Sequence, residues 1–458
     1  MNTKTKGKLS PTQIIALGFV ITIFIGSILL MLPISRTGEL SYIDSLFTAT
    51  SATCVTGHST VDVATTFTLF GQIILMLLIQ IGGLGFMLVV ALILMWLGKK
   101  ITLKNRILIS QAVNKNDFEG VVKLLRKIIK YTLTFELFGA LIIATRLVPE
   151  YGWGQGLFKS LFHSISSFCN AGFDILKGES LVPYALDRII NITSMILIMI
   201  GGLGFLVWDD ISNCIGKAIR EKTSLKRAIK KFTLHTKLVL IMQITLFIIG
   251  IIGFLFLEYN NNLTIGNMNL EDKILVSSFH STSARTAGFF TVDMASLNTA
   301  TKLLMIFLMF VGGASGSMAG GVKTITLLVI VCGFISIIKG KKSITIFKKT
   351  IPKETFEKAC AVFFFMIAIS YLSLGIIMCN INSETVSLDA FFDIISSIAT
   401  VGLSTGAINN MNMVGIINII LLMYLGRVGT ITTAVAFMLE KPKENESIIY
   451  AKEDVIVG

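Results

Sequence analysis

Eight stretches of this chain are apolar for long enough to cross ~30 Å of hydrocarbon, and that limits its folds more than anything else in it. They run at about 12–34, 69–98, 128–148, 189–208, 238–257, 303–338, 359–379 and 413–439, the sixth interrupted near its middle. Irregular backbone in lipid leaves its polar groups unsatisfied, so segments of this kind are read as helices. The first, Thr12 to Ile34, is longer than a signal-peptide core and has no small-x-small cleavage site behind it, so it is expected to stay as helix one. Only 15% of residues are charged, too few for an ordinary soluble enzyme.

The formal charge of +13 would suggest nucleic acid as a partner if the basic residues were spread evenly. They are not. Of 40 Lys and Arg, 30 fall before the first span, in the alternate connections 99–130, 217–237 and 339–358, or after Glu440. The opposite connections hold seven, against fourteen acids. Eight crossings with both termini on the basic side satisfy the positive-inside rule at every loop, so the charge reports topology and no nucleic-acid partner is expected. Cys54, Cys169, Cys214, Cys332, Cys360 and Cys379 show no paired spacing, which speaks against disulfides and a zinc site.

The four acidic-side connections repeat one pattern, an aromatic-led helical stretch and then a glycine turn. Phe47 to Ser51 runs on to Gly57, Phe162 to Ser166 to Gly172, Phe279 to Ser283 to Gly288, and Phe392 to Ser396 to Gly402. The glycines lie 115, 116 and 114 residues apart, and the third unit is one residue shorter than the rest. A second mark follows in the next span: Gly82-Gly83, Gly201-Gly202, Gly312-Gly313 and Gly426-Arg427. The expected fold is therefore an all-α polytopic membrane protein. It has four parallel helix–pore-loop–helix repeats, over 1–100, 101–215, 216–345 and 346–458, set about a pseudo-fourfold central pore with eight transmembrane helices. Parallel repeats share an axis along the membrane normal, which gathers the four turns.

Carbonyls in such turns can replace the water shell of an alkali cation. Glycine suits them because a positive φ costs it nothing sterically. The candidate filter residues are Val55, Thr56 and Gly57; Asn170, Ala171 and Gly172; Thr286, Ala287 and Gly288; and Thr400, Val401 and Gly402. Each preceding half-helix aims its C-terminal partial charge of about −0.5 at the ion path. Asp44, Asp272 and Asp389 sit near the opposite, N-terminal ends of three of them. No ring of acids lies in the turns, which favours a potassium-like cation over calcium; spacing alone leaves sodium open. The Phe positions read as packing, and the Ser four residues on as local hydrogen bonding.

The sixth span is broken by Gly312-Gly-Ala-Ser-Gly-Ser-Met-Ala-Gly-Gly321, followed by Val322, Lys323 and Thr324. That glycine density prevents a continuous helix. The segment half-resembles a phosphate loop, but no strand precedes it and Lys323 comes one residue late, so nucleotide binding is not expected. A flexible gate below the turns is the functional reading, with Gly312, Gly313, Gly316, Ser317, Gly320, Gly321 and Lys323 as its residues. Arg427, inside the last span, is a functional candidate by its depth and belongs to the same expected gate, with carbonyls or hydroxyls of the 312–321 loop as its expected partners. Glu136 is read as structural, pairing with a basic residue; Arg285 as support behind the third turn. His58, His163, His235 and His280 form no cluster with acids, so a membrane enzyme is not expected.

These motifs as a set (Cys-Val-Thr-Gly57, Asn-Ala-Gly172-Phe, Arg-Thr-Ala-Gly288-Phe, Thr-Val-Gly402-Leu-Ser, Gly-Ser-Met-Ala-Gly-Gly-Val-Lys323 and Arg427) resemble the Trk/Ktr/HKT superfamily of potassium transporters over essentially the whole chain. The likeness is greatest to the bacterial Ktr membrane subunits, so the two additional N-terminal helices of many Trk-type relatives are not expected. The resemblance implies K+ uptake, often with Na+ dependence, across a bacterial plasma membrane with both termini cytoplasmic. It also implies a homodimer with one pore per protomer, embedded in membrane lipid on a cytosolic RCK/KTN ring that binds ATP or ADP and controls the gate. In the plant branch a serine at the first filter position accompanies sodium transport; Gly57 here implies potassium. Met318 departs from the small or hydroxyl residue expected in the loop.

Overall fold

In the computed structural model, residues 11–85, 88, 89, 91, 92, 95, 120–176, 178, 180–341, 343–379 and 387–429 are described. The order long helix, buried helix, loop, shorter helix occurs four times. First come α1 (Pro11–Met31), α2 (Tyr42–Cys54), the single turn α3 (Val63–Thr66) and α4 (Leu69–Leu84). The second set is α5 (Val121–Tyr151), α6 (Trp153–Cys169) and α7 (Arg188–Gly201), extended by α8 (Phe205–Arg220) and α9 (Leu225–Lys230). The third is α10 (Leu234–Glu258), α11 (Leu270–Ser283), α12 (Thr299–Phe310) and, past the broken segment, α13 (Thr324–Ile338). The fourth is α14 (Lys353–Met378), α15 (Ser387–Ile398) and α16 (Met413–Val428).

Polarity is distributed inside out relative to a water-soluble protein. The long helices expose apolar stripes: Leu17, Ile21, Phe24 and Ile28 on α1; Leu133, Leu137 and Leu141 on α5; Ile241, Ile244, Ile248 and Ile252 on α10; Phe365, Leu372 and Ile376 on α14. The short helices α2, α6 and α11 instead bury hydroxyls, with Thr48, Thr50, Ser51 and Thr53 fully buried on α2 alone. Such a surface is stable only against hydrocarbon. Four helices are long and apolar enough to cross it: Gln13–Met31, Val122–Tyr151, Leu234–Glu258 and Lys353–Met378, with hydropathies of 2.8, 1.5, 2.7 and 2.4. The chain is a multi-pass membrane protein.

Helix starts follow their capping chemistry. Ser41, Thr68, Asp187, Thr233, Asn269 and Asn412 each accept a hydrogen bond from the backbone N–H three residues on. Asp44, Asp272 and Asp389 lie in the first turns of α2, α11 and α15, where the helix dipole favours an anion.

The four sets close on themselves. Helix α4 packs on α6, α7 on α11, α12 on α15, and α16 returns to pack on α2. The ion pair Lys302–Asp389, 2.7 Å, ties α12 to α15.

Two expectations need correction. First, only the sixth span is expected to be interrupted, but the helices that begin the spans expected at 69–98, 189–208 and 413–439 also end or bend just after the paired-glycine mark. Gly85, Gly204 and Gly429 end α4, the α7 bend and α16 with φ near +90° (+88°, +93° and +93°). At the second of these the chain turns by 96° into α8, so the span expected at 189–208 is bent. The signal was a glycine three residues after the first of three of the four marks (Gly82/Gly85, Gly201/Gly204, Gly426/Gly429), hidden because apolar neighbours keep the hydropathy high. The rest of the expected 413–439 span and the basic segments 4–8, 99–119 and 441–452 lie outside the described residues. Secondly, the all-α expectation missed a hairpin, β1 (Ile344–Ile346) with antiparallel β2 (Lys349–Ile351). Its turn residues Phe347 and Lys348 both have positive φ, the geometry that matches strand twist in a two-residue connection.

Candidate functional site

Each buried helix ends in the same backbone reversal. Val55, Asn170, Thr286 and Thr400 adopt left-handed conformations, with φ of +59°, +59°, +73° and +51°. Asparagine tolerates this region, but the other three are β-branched, and such a residue there is strained by about 1–2 kcal/mol. The hydrogen bonds Thr56 N to Ser51 O (2.8 Å), Ala171 N to Ser166 O (2.7 Å) and Val401 N to Ser396 O (2.8 Å) close three identical turns. In the shorter third unit Ala287 N reaches Ser283 O at 2.9 Å. The serines contribute as well: Ser51 Oγ and Ser396 Oγ accept from Gly57 N and Gly402 N at 3.0 and 3.1 Å.

Two residues after each reversal the glycine again has positive φ, +99°, +71°, +80° and +97° in chain order. The four glycines meet in a closed cycle. A Cβ placed on Gly57 would lie 2.6 Å from the Ala171 carbonyl oxygen and 3.0 Å from Gly172 Cα. One on Gly172 would lie 2.7 Å from Ala287 O and 3.1 Å from Gly288 Cα. One on Gly288 would strike Val401 O, and one on Gly402 would strike Thr56 O and come within 3.0 Å of Gly57 Cα. The carbonyl just before each glycine therefore lies against its neighbour's α-carbon, and all twelve expected filter residues belong to this cycle of turns. Among the described residues, the buried hydroxyls of Thr53, Thr56 and Thr400 have no hydrogen-bond partner. Polar oxygens without protein partners, deep in a lipid-facing protein, are suited to a cation shedding water.

At the position after each signature phenylalanine (Thr48, His163, His280 and Asp393) three of the four residues secure nearby structure, a role the sequence does not announce. Asp393, fully buried, accepts from Ser404 Oγ (2.8 Å), Thr405 N (2.8 Å) and Ile408 N (3.1 Å), fixing the chain just after Gly402. His280 bonds Thr291 at 3.0 Å and stacks on Phe254; His163 bonds Ser194 at 2.8 Å. A polar residue three positions before each signature serine was the available signal, obscured because Thr, His, His and Asp share only polarity. Replacing Asp393 with alanine strands those donors and is expected to destabilise the protein by roughly 3 kcal/mol, at about one per lost bond. Thermal unfolding in detergent checks this, and an unchanged midpoint would refute it.

The paired-glycine marks have a contact reason. A Cβ on Gly82, Gly201 or Gly426 would strike the carbonyl of Thr53, Phe168 or Ile398, the residue four before each filter glycine. Inner helix and turn are thus in backbone contact.

Under the turns lies the 311–323 segment. It is pinned to the α7 bend by Ala314 N to Gly202 O (3.0 Å) and Phe205 N to Gly316 O (2.9 Å), and folds on itself through Gly312 N to Val322 O (3.0 Å). Its Gly320 has no room for a side chain beside the Thr400 hydroxyl and Ala399 O, which sets the segment directly against the fourth turn. Lys323 Nζ donates to Ala319 O at 2.6 Å, within the segment. Gly313 backs onto Ala319 and Ser317, and Gly321 has φ +68°. Arg427 donates from Nη1 to Met318 O and from Nη2 to Gly82 O and, at 3.1 Å, Gly83 O. One guanidinium thereby links the fourth inner helix, the broken segment and the first inner helix. Met318, the departure from pattern, is buried, and its carbonyl serves Arg427 whatever the side chain.

Arg285 donates to Gln243 O at 3.2 Å, holding the third turn to α10. Glu136 has no basic partner among the described residues, contrary to expectation: Gln80 Nε2 donates to it at 2.7 Å. Neither residue marks its partner in the sequence, since 56 positions separate them.

With this geometry in view, similarity to known proteins is informative. Residues 5–448 match the TrkH family, described as cation transport protein. The chain is 41% identical to the Ktr system potassium uptake protein B of Bacillus subtilis, over 98% of its own length and 97% of that protein. It is 36% identical to the potassium/sodium uptake protein NtpJ of Enterococcus hirae, over 100% and 99%. The crystal structure of the potassium transporter TrkH from Vibrio parahaemolyticus superposes with a TM-score of 0.71, at 18% identity, covering 96% of this chain and 87% of that one, which shows a shared fold.

Proposed function

Because the chain belongs to the TrkH family of cation transport proteins, and is a cation uptake transporter and not an enzyme, we propose that it conducts K+ through the ring of four turns. In this reading the carbonyls of residues 55–57, 170–172, 286–288 and 400–402 form the filter. The observation that carries it is the closed cycle in which each glycine receives its neighbour's preceding carbonyl. Four equivalent oxygen sets around one point are what a dehydrated monovalent cation needs. The membrane potential would drive uptake, at about 2.3 kcal/mol per charge per 100 mV.

The gate in this proposal is the segment from Gly312 to Lys323 with Arg427. A ring of carbonyl contacts around a glycine-rich stretch gives a closed state that a modest force can undo. The protein would sit in a bacterial plasma membrane with both termini cytoplasmic, the orientation that the basic connections support. It would act as a homodimer on a cytosolic nucleotide-binding ring; a relative named as component B of a Ktr system supports a partner subunit. Exposed Lys217, Arg220, Lys222, Lys226, Arg227 and Lys230, on and beside α8 and α9, offer that partner a basic face. Na+ dependence is supported by the potassium/sodium relative alone.

Expression in a bacterium deficient in K+ uptake tests this reading. Growth at low K+ should be restored, and addition of Na+ should improve it where the two ions are coupled. No rescue in either medium, with the protein present in the membrane, would overturn the assignment.

A further inference from the structure

The buried carboxyl of Glu136 is not accounted for by the ion path or by the gate. It lies on a helix long enough to span the membrane, is 2% exposed, and belongs to none of the ion pairs among the described residues. An ionisable group at such depth is a functional candidate by default, because an apolar residue would be accommodated there at far less cost.

Its contacts lead in two directions. Gln80 Nε2 donates to Oε2 at 2.7 Å, and Gln80 lies on α4 just before Gly82 and Gly83, whose carbonyls receive Arg427. Cys169 Sγ donates to Gln80 Oε1 at 3.0 Å and lies 3.8 Å from Glu136 Oε1. Cys169 is the residue immediately before Asn170, Ala171 and Gly172. Ser164 Oγ, on the buried helix leading there, donates to the Glu136 carbonyl at 2.6 Å. The fit is close: a Cβ on Gly83 would come within 2.7 Å of Cys169 Sγ. The Glu136–Gln80–Cys169 triad therefore fastens the second turn to the first inner helix. The carbonyl of Ala171 in that turn is the one set against Gly57.

We propose that Glu136 is a positioning residue for ion selectivity: acting through Gln80 and Cys169, it fixes how far the second turn stands from the first. The inference rests on the filter reading above. It assigns no ion contact to Glu136 itself. An amide in its place keeps the acceptor for Gln80, whereas a leucine fills the volume and removes the contact.

The test compares E136Q, E136L and Q80L in the full-length protein, in cells, reading K+ uptake in competition with Na+ and the maximal K+ rate. Modification of Cys169 by a membrane-permeant maleimide, located by mass spectrometry, is the third readout. E136Q should keep the parent selectivity. E136L and Q80L should lose roughly tenfold in K+ over Na+, the equivalent of about one buried hydrogen bond, with a smaller change in maximal rate and with Cys169 newly reactive. Parent selectivity in E136L, or an E136Q ratio as low as that of E136L, would overturn the proposal. Should E136L fail to reach the membrane, Q80L decides by the same criteria. Gly57→Ser measured alongside separates the two levels: an unchanged ratio there brings down the filter reading itself, whereas a lowered ratio there with an unchanged E136L brings down only the role of Glu136.

Discussion

Substituting Gly57 with serine is expected to reduce discrimination between K+ and Na+ by tenfold or more. Two costs arrive together. At φ +99° a residue with a side chain is strained, by about 1–2 kcal/mol. The new Cβ would also stand 2.6 Å from the Ala171 oxygen, closer than non-bonded atoms pack, so that carbonyl must rotate or retreat. Since roughly 1.4 kcal/mol is a factor of ten, displacing one of four oxygen sets by this much is enough to erase a strong preference. Gly57→Ala should behave similarly, because the collision lies with Cβ and not with a hydroxyl. Competition of Na+ against Rb+ uptake is the measurement. Parent-like ratios in both variants would show that the ring does not select the ion.

The second large effect concerns Arg427. Replacement by glutamine removes charge-assisted bonds to Met318, Gly82 and Gly83, contacts that contribute about 1.5–3 kcal/mol each when buried. The broken segment keeps its own bonds to the α7 bend, so it should loosen without unravelling. Basal flux in the absence of any cytosolic partner is expected to rise at least tenfold, since ~1.4 kcal/mol shifts a two-state equilibrium by that factor. Ion selectivity should stay as it was, the turns being untouched. Uptake into vesicles carrying the purified protein would settle it; equal or lower flux at equal incorporation would mean that Arg427 braces the fold and does not restrain a gate.

Much of the architecture was legible because lipid leaves few alternatives and because the glycine signature recurs at nearly constant spacing. That repetition alone points to the four turns and their positions along the chain. What escaped was of another kind. The breaks at Gly85, Gly204 and Gly429 leave no trace in hydropathy, since a single glycine among leucines and phenylalanines barely changes an average. The expected partner of Glu136 is not the one found because a buried acid suggests a base, and the amide of Gln80, brought close by the packing of α4 on α6, has no periodic signature. Asp393 was passed over as one letter of a helix. Its importance depends on residues 404–408 folding back over it, a tertiary fact. Local pattern identified the chain's recurrent parts; the long-range hydrogen bonds that tension them had to be seen.

The return of α16 to α2 has a consequence for biosynthesis. A chain emerging from the ribosome inserts its segments in order, and until the last arrives the assembly is an open horseshoe with α2 lacking its neighbour. Thr56 and Gly402, first and last members of the cycle, cannot meet before then. A nascent or truncated subunit that lacks α16 thus cannot close the cycle of turns, so the ring is completed only when translation has finished its last helix.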